Sequence, residues 1–90
     1  RVPNEREHDA LRALRASLAE LQDDATAEDI QTAIFTVGKD YGFQPLRSWF
    51  STLYETLLGQ SEGPRMGSFV KLYGLKSTLS LIDQACARSH

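Results

Sequence analysis

The sequence predicts an all-α fold, a small bundle of four to five helices. Apolar residues recur three and four positions apart over most of the 90 residues, the spacing that places side chains on one helix face. No segment shows the sustained alternation of apolar and polar residues that indicates a strand. Glycines and prolines separate the periodic segments, so short connections join the helices. Residues 1–90 are therefore treated as one helical domain.

The first helix is predicted over residues 7–21 and is followed by an acidic turn at residues 23–24. Its apolar face consists of leucines at helical spacing, Leu11, Leu14, Leu18 and Leu21. Residues 1–32 carry eight acids against four arginines. The acidic first helix, within residues 1–24, is expected to be the most separable element, an arm beside a helical core at residues 26–90.

The second helix is expected to begin at Thr26, an N-cap with Asp29 three residues later. It should end before Gly42, which can adopt the left-handed conformation that closes a helix. Its predicted apolar stripe is Ile30, Ile34, Val37 and Tyr41.

The third helix is predicted to have Pro45 in its first turn and to close at Gly59. It carries the strongest apolar stripe, including Trp49 and Phe50, so it should form the centre of the bundle. A short fourth helix bears Met66, Phe69, Val70 and Tyr73 and stops at Gly74. Ser77 or Thr78 is expected to start a fifth helix, on which Leu75, Leu79, Ile82 and Cys86 share one face.

The composition contains no catalytic or metal-binding constellation. One cysteine and two histidines, at Cys86, His8 and His90, are too few and too far apart for an evident zinc site or nucleophile pair. No apolar run is long enough to cross a membrane. A single cysteine suits a reducing cytosol. Because the chain begins at Arg1 and has its one methionine at Met66, we expect it to be a piece of a longer protein.

The loop at residues 59–67 is the most informative segment, because it holds three glycines and Pro64 in nine positions. Such a loop has a specified backbone, and it lies between two helices that carry aromatic residues. Arg65 stands in the loop and Arg47 at the start of the third helix, while Lys71 and Lys76 follow. Aromatic and cationic side chains together are typical of sites for unpaired RNA. Packing in the core and a bridge from Arg65 to Glu62 or a loop carbonyl are the structural alternatives.

The segment at residues 47–82 resembles the C-terminal end of class I lysyl-tRNA synthetases, and the strong match covers about residues 41–82. The shared features are a helix with a tyrosine and paired leucines, then Leu-Gly, Gly-Pro-Arg, Gly-Ser-Phe and a glycine stop. The matching residues are Tyr54, Leu57, Leu58, Gly59, Gly63, Pro64, Arg65, Gly67, Ser68, Phe69, Leu72 and Gly74. Residues 1–40 match only as helical segments of suitable length.

The resemblance implies an anticodon-binding domain of the α-helix cage type, a C-terminal fragment of a larger cytoplasmic synthetase. Its implied partners are the anticodon loop of the tRNA for lysine and the catalytic domain of the same chain, with no membrane. The parent enzyme would activate lysine with ATP and Mg²⁺ in a Rossmann-type domain. HIGH-like and KMSKS-like motifs are absent from these residues, so the fragment itself would hold no catalytic site and no cofactor.

Within this resemblance, Arg47 and Arg65 are the predicted RNA contacts, and Lys71 and Lys76 the predicted phosphate contacts. The net charge of −2 argues for weak binding by the isolated domain. Two alternatives stay open. The first is the anticodon-binding domain of a glutamyl-tRNA synthetase, which shares a Leu-x-Gly and Gly-Pro frame. The second is a non-enzymatic helical module that binds other proteins.

Overall fold

A computed structural model describes residues 2–88, and within this range it contains five helices and no strand. The helices are α1 (Glu5–Ala19), α2 (Ala27–Asp40), α3 (Arg47–Leu53, continued by a π-helical segment at Tyr54–Leu58), α4 (Met66–Tyr73) and α5 (Leu75–Ala87). The predicted all-α fold is confirmed. No described helix is both long and apolar enough to span a bilayer.

The core lies where α2 packs against α1 and α4, and where α1 packs against α5. Trp49 of α3 is fully buried in this core, and its indole Nε1 donates to the Ile34 carbonyl over 3.0 Å. The sequence predicted α3 as the centre of the bundle, whereas the main contacts between helices are those of α1 and α2. The centroids of the Trp49 and Phe43 rings lie 4.8 Å apart. Every helix contributes buried residues to this cluster, so the fold has one core.

Reciprocal capping boxes begin α1 and α2. Thr26 and Asp29 form the predicted one, in which the Asp29 amide donates to the Thr26 hydroxyl at 3.0 Å. An equivalent pair, Asn4 and Glu7, begins α1. Because Asn4 caps the helix from a polar segment outside the leucine pattern, α1 begins two residues earlier than the predicted residues 7–21. It also ends two residues earlier, at Ala19, so Leu21 lies beyond it.

The first helix, expected to be the most separable element, is packed into the core. Its residues Ala10, Leu11, Leu14 and Leu18 are at most 1% exposed. The Arg6 guanidinium lies 4.3 Å from the centre of the Phe43 ring. The buried Glu7 carboxylate also accepts from the Thr52 hydroxyl at 3.1 Å. Apart from Glu7, the acids of this segment are exposed, whereas its leucine face joins it to the bundle.

Two helix ends lie where the sequence predicted them, and two residues near helix ends do not. Gly42 and Gly59 close α2 and α3 with φ of 73° and 70°, as predicted. Pro45 lies before α3, not in its first turn, and follows a cis peptide bond. Tyr41, assigned to the apolar stripe, is 37% exposed at the end of α2.

The predicted start of α5 at Ser77 or Thr78 is wrong, because the helix begins at Leu75 directly after Gly74. The Thr78 hydroxyl donates to the Gly74 carbonyl at 2.8 Å, one turn earlier, and so lies inside the helix. The buried residues of α5 are Thr78, Ile82 and Ala85. The predicted face residues Leu75, Leu79 and Cys86 are only partly buried at its edge.

Candidate nucleic-acid interface

A surface cleft opens between α2, α3 and the loop that joins α3 to α4. We call it the arginine cleft, since it brings Arg47 and Arg65 to one depression from two separate segments of the chain. Its lining residues are Gln31, Arg47, Phe50, Ser51, Tyr54, Ser61, Glu62, Arg65 and Met66. Cationic, aromatic and amide side chains therefore share one concave surface, which is the combination that single-stranded nucleic acids bind.

Both arginines of the cleft are available to a ligand. Arg65 is exposed at the start of α4, and its Nη1 lies 3.5 Å from the Glu28 carboxylate of α2. The two side chains are 53% and 77% exposed, so this ion pair is weak. Its partner is thus neither Glu62 nor a loop carbonyl, the two considered from sequence. Arg47 is exposed and has no hydrogen-bond or ion-pair partner within residues 2–88.

The aromatic residues near the loop divide into core and rim. Trp49 is fully buried and belongs to the core. Phe50 is partly buried at the rim of the arginine cleft and meets the ring of Phe35 edge-on, with centroids 5.4 Å apart. Phe69 and Tyr73 stack on each other along α4, with ring centroids 5.1 Å apart. Neither residue lines the cleft. Of the aromatic side chains near the loop, Phe50 and Tyr54 therefore border the cleft.

The Tyr54 hydroxyl fixes the loop that presents Arg65. It donates to the Pro64 carbonyl at 2.8 Å. Partial burial raises the pKa of Tyr54 above its ordinary value. The phenol therefore keeps its proton, and with it this hydrogen bond, over the whole neutral range.

Replacing Tyr54 with phenylalanine should lower the free energy of unfolding by about 1 kcal/mol at neutral pH, since one hydrogen bond is lost. The folded pKa lies above the unfolded value near 10, so this stabilisation is complete below about pH 10. It is lost as pH rises through the folded pKa. Urea titrations of both proteins at several pH values should show a difference that shrinks in alkali. A difference that widens there would contradict this.

Lys71 and Lys76 lie in a second groove, together with Asp23, Ala25, Gly74, Leu75 and Ser77. The Lys71 ammonium donates to the Ala25 carbonyl at 2.6 Å and so holds the connection between α1 and α2. Lys76 is exposed and has no partner within residues 2–88. The structure thus places the four predicted site residues as two pairs in two grooves.

Three residues near the arginine cleft were not predicted from sequence. Gln31 lines it from α2, while Phe35 and Lys39 line an adjoining groove with Phe43 and Leu46. Phe35 could have been found, because it is a large apolar residue off the stripe of the second helix and is 39% exposed. Nothing in the sequence pattern marked Gln31, since its role depends on the Gly67 backbone N–H of α4, which is far away along the chain.

The structure offers no reactive nucleophile pair among the residues it describes. Cys86 is partly buried, and burial raises the pKa of its thiol, which disfavours the thiolate. His8 lies on α1, and His90 lies outside the described residues. Within residues 2–88 no cluster of three or more histidine, cysteine or acidic side chains could hold a metal ion.

Comparison with known proteins relates the chain to lysine–tRNA ligases. It is 44% identical over 82 residues to the lysine–tRNA ligase of Rickettsia felis, an alignment that covers 91% of this chain. Over 81 residues it is 45% identical to that of Rickettsia akari, and 90% of this chain is covered. It is 42% identical over 87 residues to the lysine–tRNA ligase of Roseobacter denitrificans, an alignment that covers 97% of this chain. The similarity thus extends well beyond residues 41–82.

The aligned segment is a small part of each relative. It spans 16%, 15% and 16% of the Rickettsia felis, Rickettsia akari and Roseobacter denitrificans proteins. No protein-family model matches the chain. No solved structure matches it.

Proposed function

We propose that this chain, a relative of one segment of lysine–tRNA ligases, is the anticodon-binding part of a class I lysine–tRNA ligase. It recognises the anticodon loop of the tRNA for lysine. A catalytic domain elsewhere in the cytoplasmic parent chain joins lysine to that tRNA with ATP and Mg²⁺. The names and coverage of the relatives support the ligase, and the class I assignment rests on the Gly-Pro-Arg and Gly-Ser-Phe sequence resemblance.

The observation that carries the RNA role is the convergence of Arg47 and Arg65 on one cleft bordered by Phe50 and Tyr54. Two exposed guanidinium groups can each donate several hydrogen bonds to phosphate oxygens. The aromatic side chains of Phe50 and Tyr54 in the same cleft offer a surface on which an unpaired base can stack. Anticodon loops present unpaired bases and closely spaced phosphates, so cleft and ligand match in chemistry.

We expect the lysine anticodon stem–loop to shift the NMR signals of Arg47 and Arg65 in the 90-residue chain. Replacing both arginines with glutamine should weaken binding by about tenfold or more, because charge-assisted hydrogen bonds are lost. Binding should also weaken as salt is raised. Titrations followed by ¹H–¹⁵N spectra, with both backbone and guanidinium signals recorded, measure all three effects.

Two controls make this titration specific. Arg12→Gln, compared with each single replacement of Arg47 or Arg65, removes one positive charge from the exposed face of α1 and should leave the affinity nearly unchanged. A stem–loop with a scrambled loop sequence should bind more weakly than the lysine anticodon loop. Unmoved signals at both Arg47 and Arg65, with the lysine RNA present in excess, would exclude the proposed role. Tighter binding of a glutamate anticodon loop would instead favour the glutamyl enzyme.

A protein-interaction module is the second candidate, and the outer face of α4 favours it. Leu72 is 91% exposed and Tyr73 is 48% exposed beside the stacked ring of Phe69. Adjacent apolar side chains of this kind mark protein contacts. In a complete ligase the catalytic domain of the same chain is the natural occupant. Binding of a protein partner, without any salt-dependent response to RNA, would favour the second candidate over the first.

A further inference from the structure

Gln31 occupies an unusual position in the arginine cleft, because its amide is nearly buried yet only half paired. The residue is 8% exposed. Its Oε1 accepts from the Gly67 backbone N–H at 2.6 Å, across the contact between α2 and α4. This bond determines the orientation of the amide, since a flipped side chain would set its NH₂ group against another donor. The carbonyl end of Gln31 is therefore committed to the protein backbone.

The other end of the amide, Nε2, is left as an unused donor. It has no hydrogen-bond partner within residues 2–88. Every fully buried side-chain nitrogen or oxygen in that range does have a partner, so Nε2 must be accessible. Gln31 lines the arginine cleft together with Arg47 and Arg65 and is more deeply buried than either arginine. A ligand in the cleft can therefore reach the accessible NH₂ group of Gln31.

We infer that Gln31 is a base-reading residue of this cleft, whose amide NH₂ donates to a carbonyl oxygen on the edge of an unpaired base. The inference rests on the proposed RNA-binding function. Because the carbonyl of Gln31 is already engaged, the residue presents donors alone. It therefore binds a base edge that presents a carbonyl, such as uracil O4, and disfavours an edge that presents an amino group, such as cytosine N4.

A base edge fits this donor better than a phosphate does. Arg47 and Arg65 are exposed and carry the charge that phosphate oxygens attract. Gln31 is neutral and nearly buried, and Phe50 and Tyr54 line the same cleft. A planar ring on these aromatic side chains can bring its edge to the Gln31 amide. A buried donor left without its acceptor also loses more free energy than an exposed one, which sharpens discrimination.

The test uses RNA hairpins in matched pairs. The two members of a pair differ only by a uridine or a cytidine at one loop position, and each loop uridine is tested in turn. The 90-residue chain should prefer uridine by about tenfold at one position. In Gln31→Glu, one carboxylate oxygen can still accept from the Gly67 N–H, while the other offers an acceptor where a donor stood. The preference for uridine should therefore disappear or reverse.

The control variant is Gln84→Glu, which makes the same change of charge on the exposed face of α5 and should keep the preference. If Gln31→Glu weakens both hairpins equally, the ratio stays unchanged and the inference is overturned, since a charge effect or a phosphate contact would explain that result. If the unmodified chain binds neither hairpin, the proposed function itself fails. Binding without any base preference overturns this inference alone.

A second measurement covers the case in which Gln31→Glu does not fold. The side-chain NH₂ signals of Gln31 can be followed in the unmodified chain by ¹H–¹⁵N NMR. They should shift with the uridine hairpin and move much less with the matched cytidine hairpin. Signals that stay in place while those of Arg47 and Arg65 shift would overturn the inference without affecting the proposed RNA-binding role.

Discussion

Truncating Trp49 to alanine should lower the free energy of unfolding by about 3–5 kcal/mol, the usual cost of removing a buried aromatic side chain. Trp49 is fully buried, packs against Phe43 and donates from its indole to the Ile34 carbonyl. Small domains have about 5–15 kcal/mol of stability in total. This one change should therefore unfold a large share of the protein, as measured by urea denaturation with far-UV circular dichroism.

The Trp49→Phe variant separates the packing of the ring from its hydrogen bond. It keeps an aromatic ring but lacks the N–H donor, so a smaller loss of about 1–3 kcal/mol is expected. Gly38→Ala tests the same contact from α2, because a Cβ there would lie 2.5 Å from Trp49 Cδ1. A Trp49→Ala protein as stable as the parent chain would show that this core does not hold the bundle together.

The helices were predictable from sequence because their signals are local. Apolar spacing, the Thr26 cap and the stops at Gly42, Gly59 and Gly74 each involve residues within a few positions of one another. The starts of α1 and α5 were less predictable. Asn4 lies outside the apolar pattern, and α5 begins directly after a glycine without a side-chain cap. The place of α1 in the core depended on packing between distant segments, which its acidic composition concealed.

The candidate site was only partly predictable, for the same reason. Arg47 and Arg65 stood out as cations beside aromatic residues, and they do share a cleft. Lys71 has equal charge, yet its ammonium is held by the Ala25 carbonyl in another groove. Gln31 is one ordinary polar residue in α2 until the fold brings the Gly67 N–H to its carbonyl. Side-chain identity suggests the chemistry, but the tertiary fold decides which groups remain free for a ligand.

Replacing Gly67 with alanine should lower the free energy of unfolding by about 2–3 kcal/mol, although alanine normally favours a helix. A Cβ at this position would clash with the Ala27 carbonyl oxygen and would lie 2.8 Å from Gln31 Oε1. Since Ala27 contributes backbone, which cannot rotate away, α4 must move from α2 and the bond from Gly67 to Gln31 should weaken. Urea denaturation measures the loss, and Ser68→Ala on the exposed side of the same turn should cost less than about 0.5 kcal/mol.

The same substitution should also affect RNA recognition. With Gln31 no longer fixed by the Gly67 N–H, its amide can rotate and present either a carbonyl or an NH₂ group to the arginine cleft. We therefore expect Gly67→Ala to lose the preference for uridine over cytidine while keeping most of its salt-dependent affinity, which depends on Arg47 and Arg65. If the variant stays folded and keeps the full preference, the contact between α2 and α4 does not position the reading group. Glycine at position 67 would then serve packing alone.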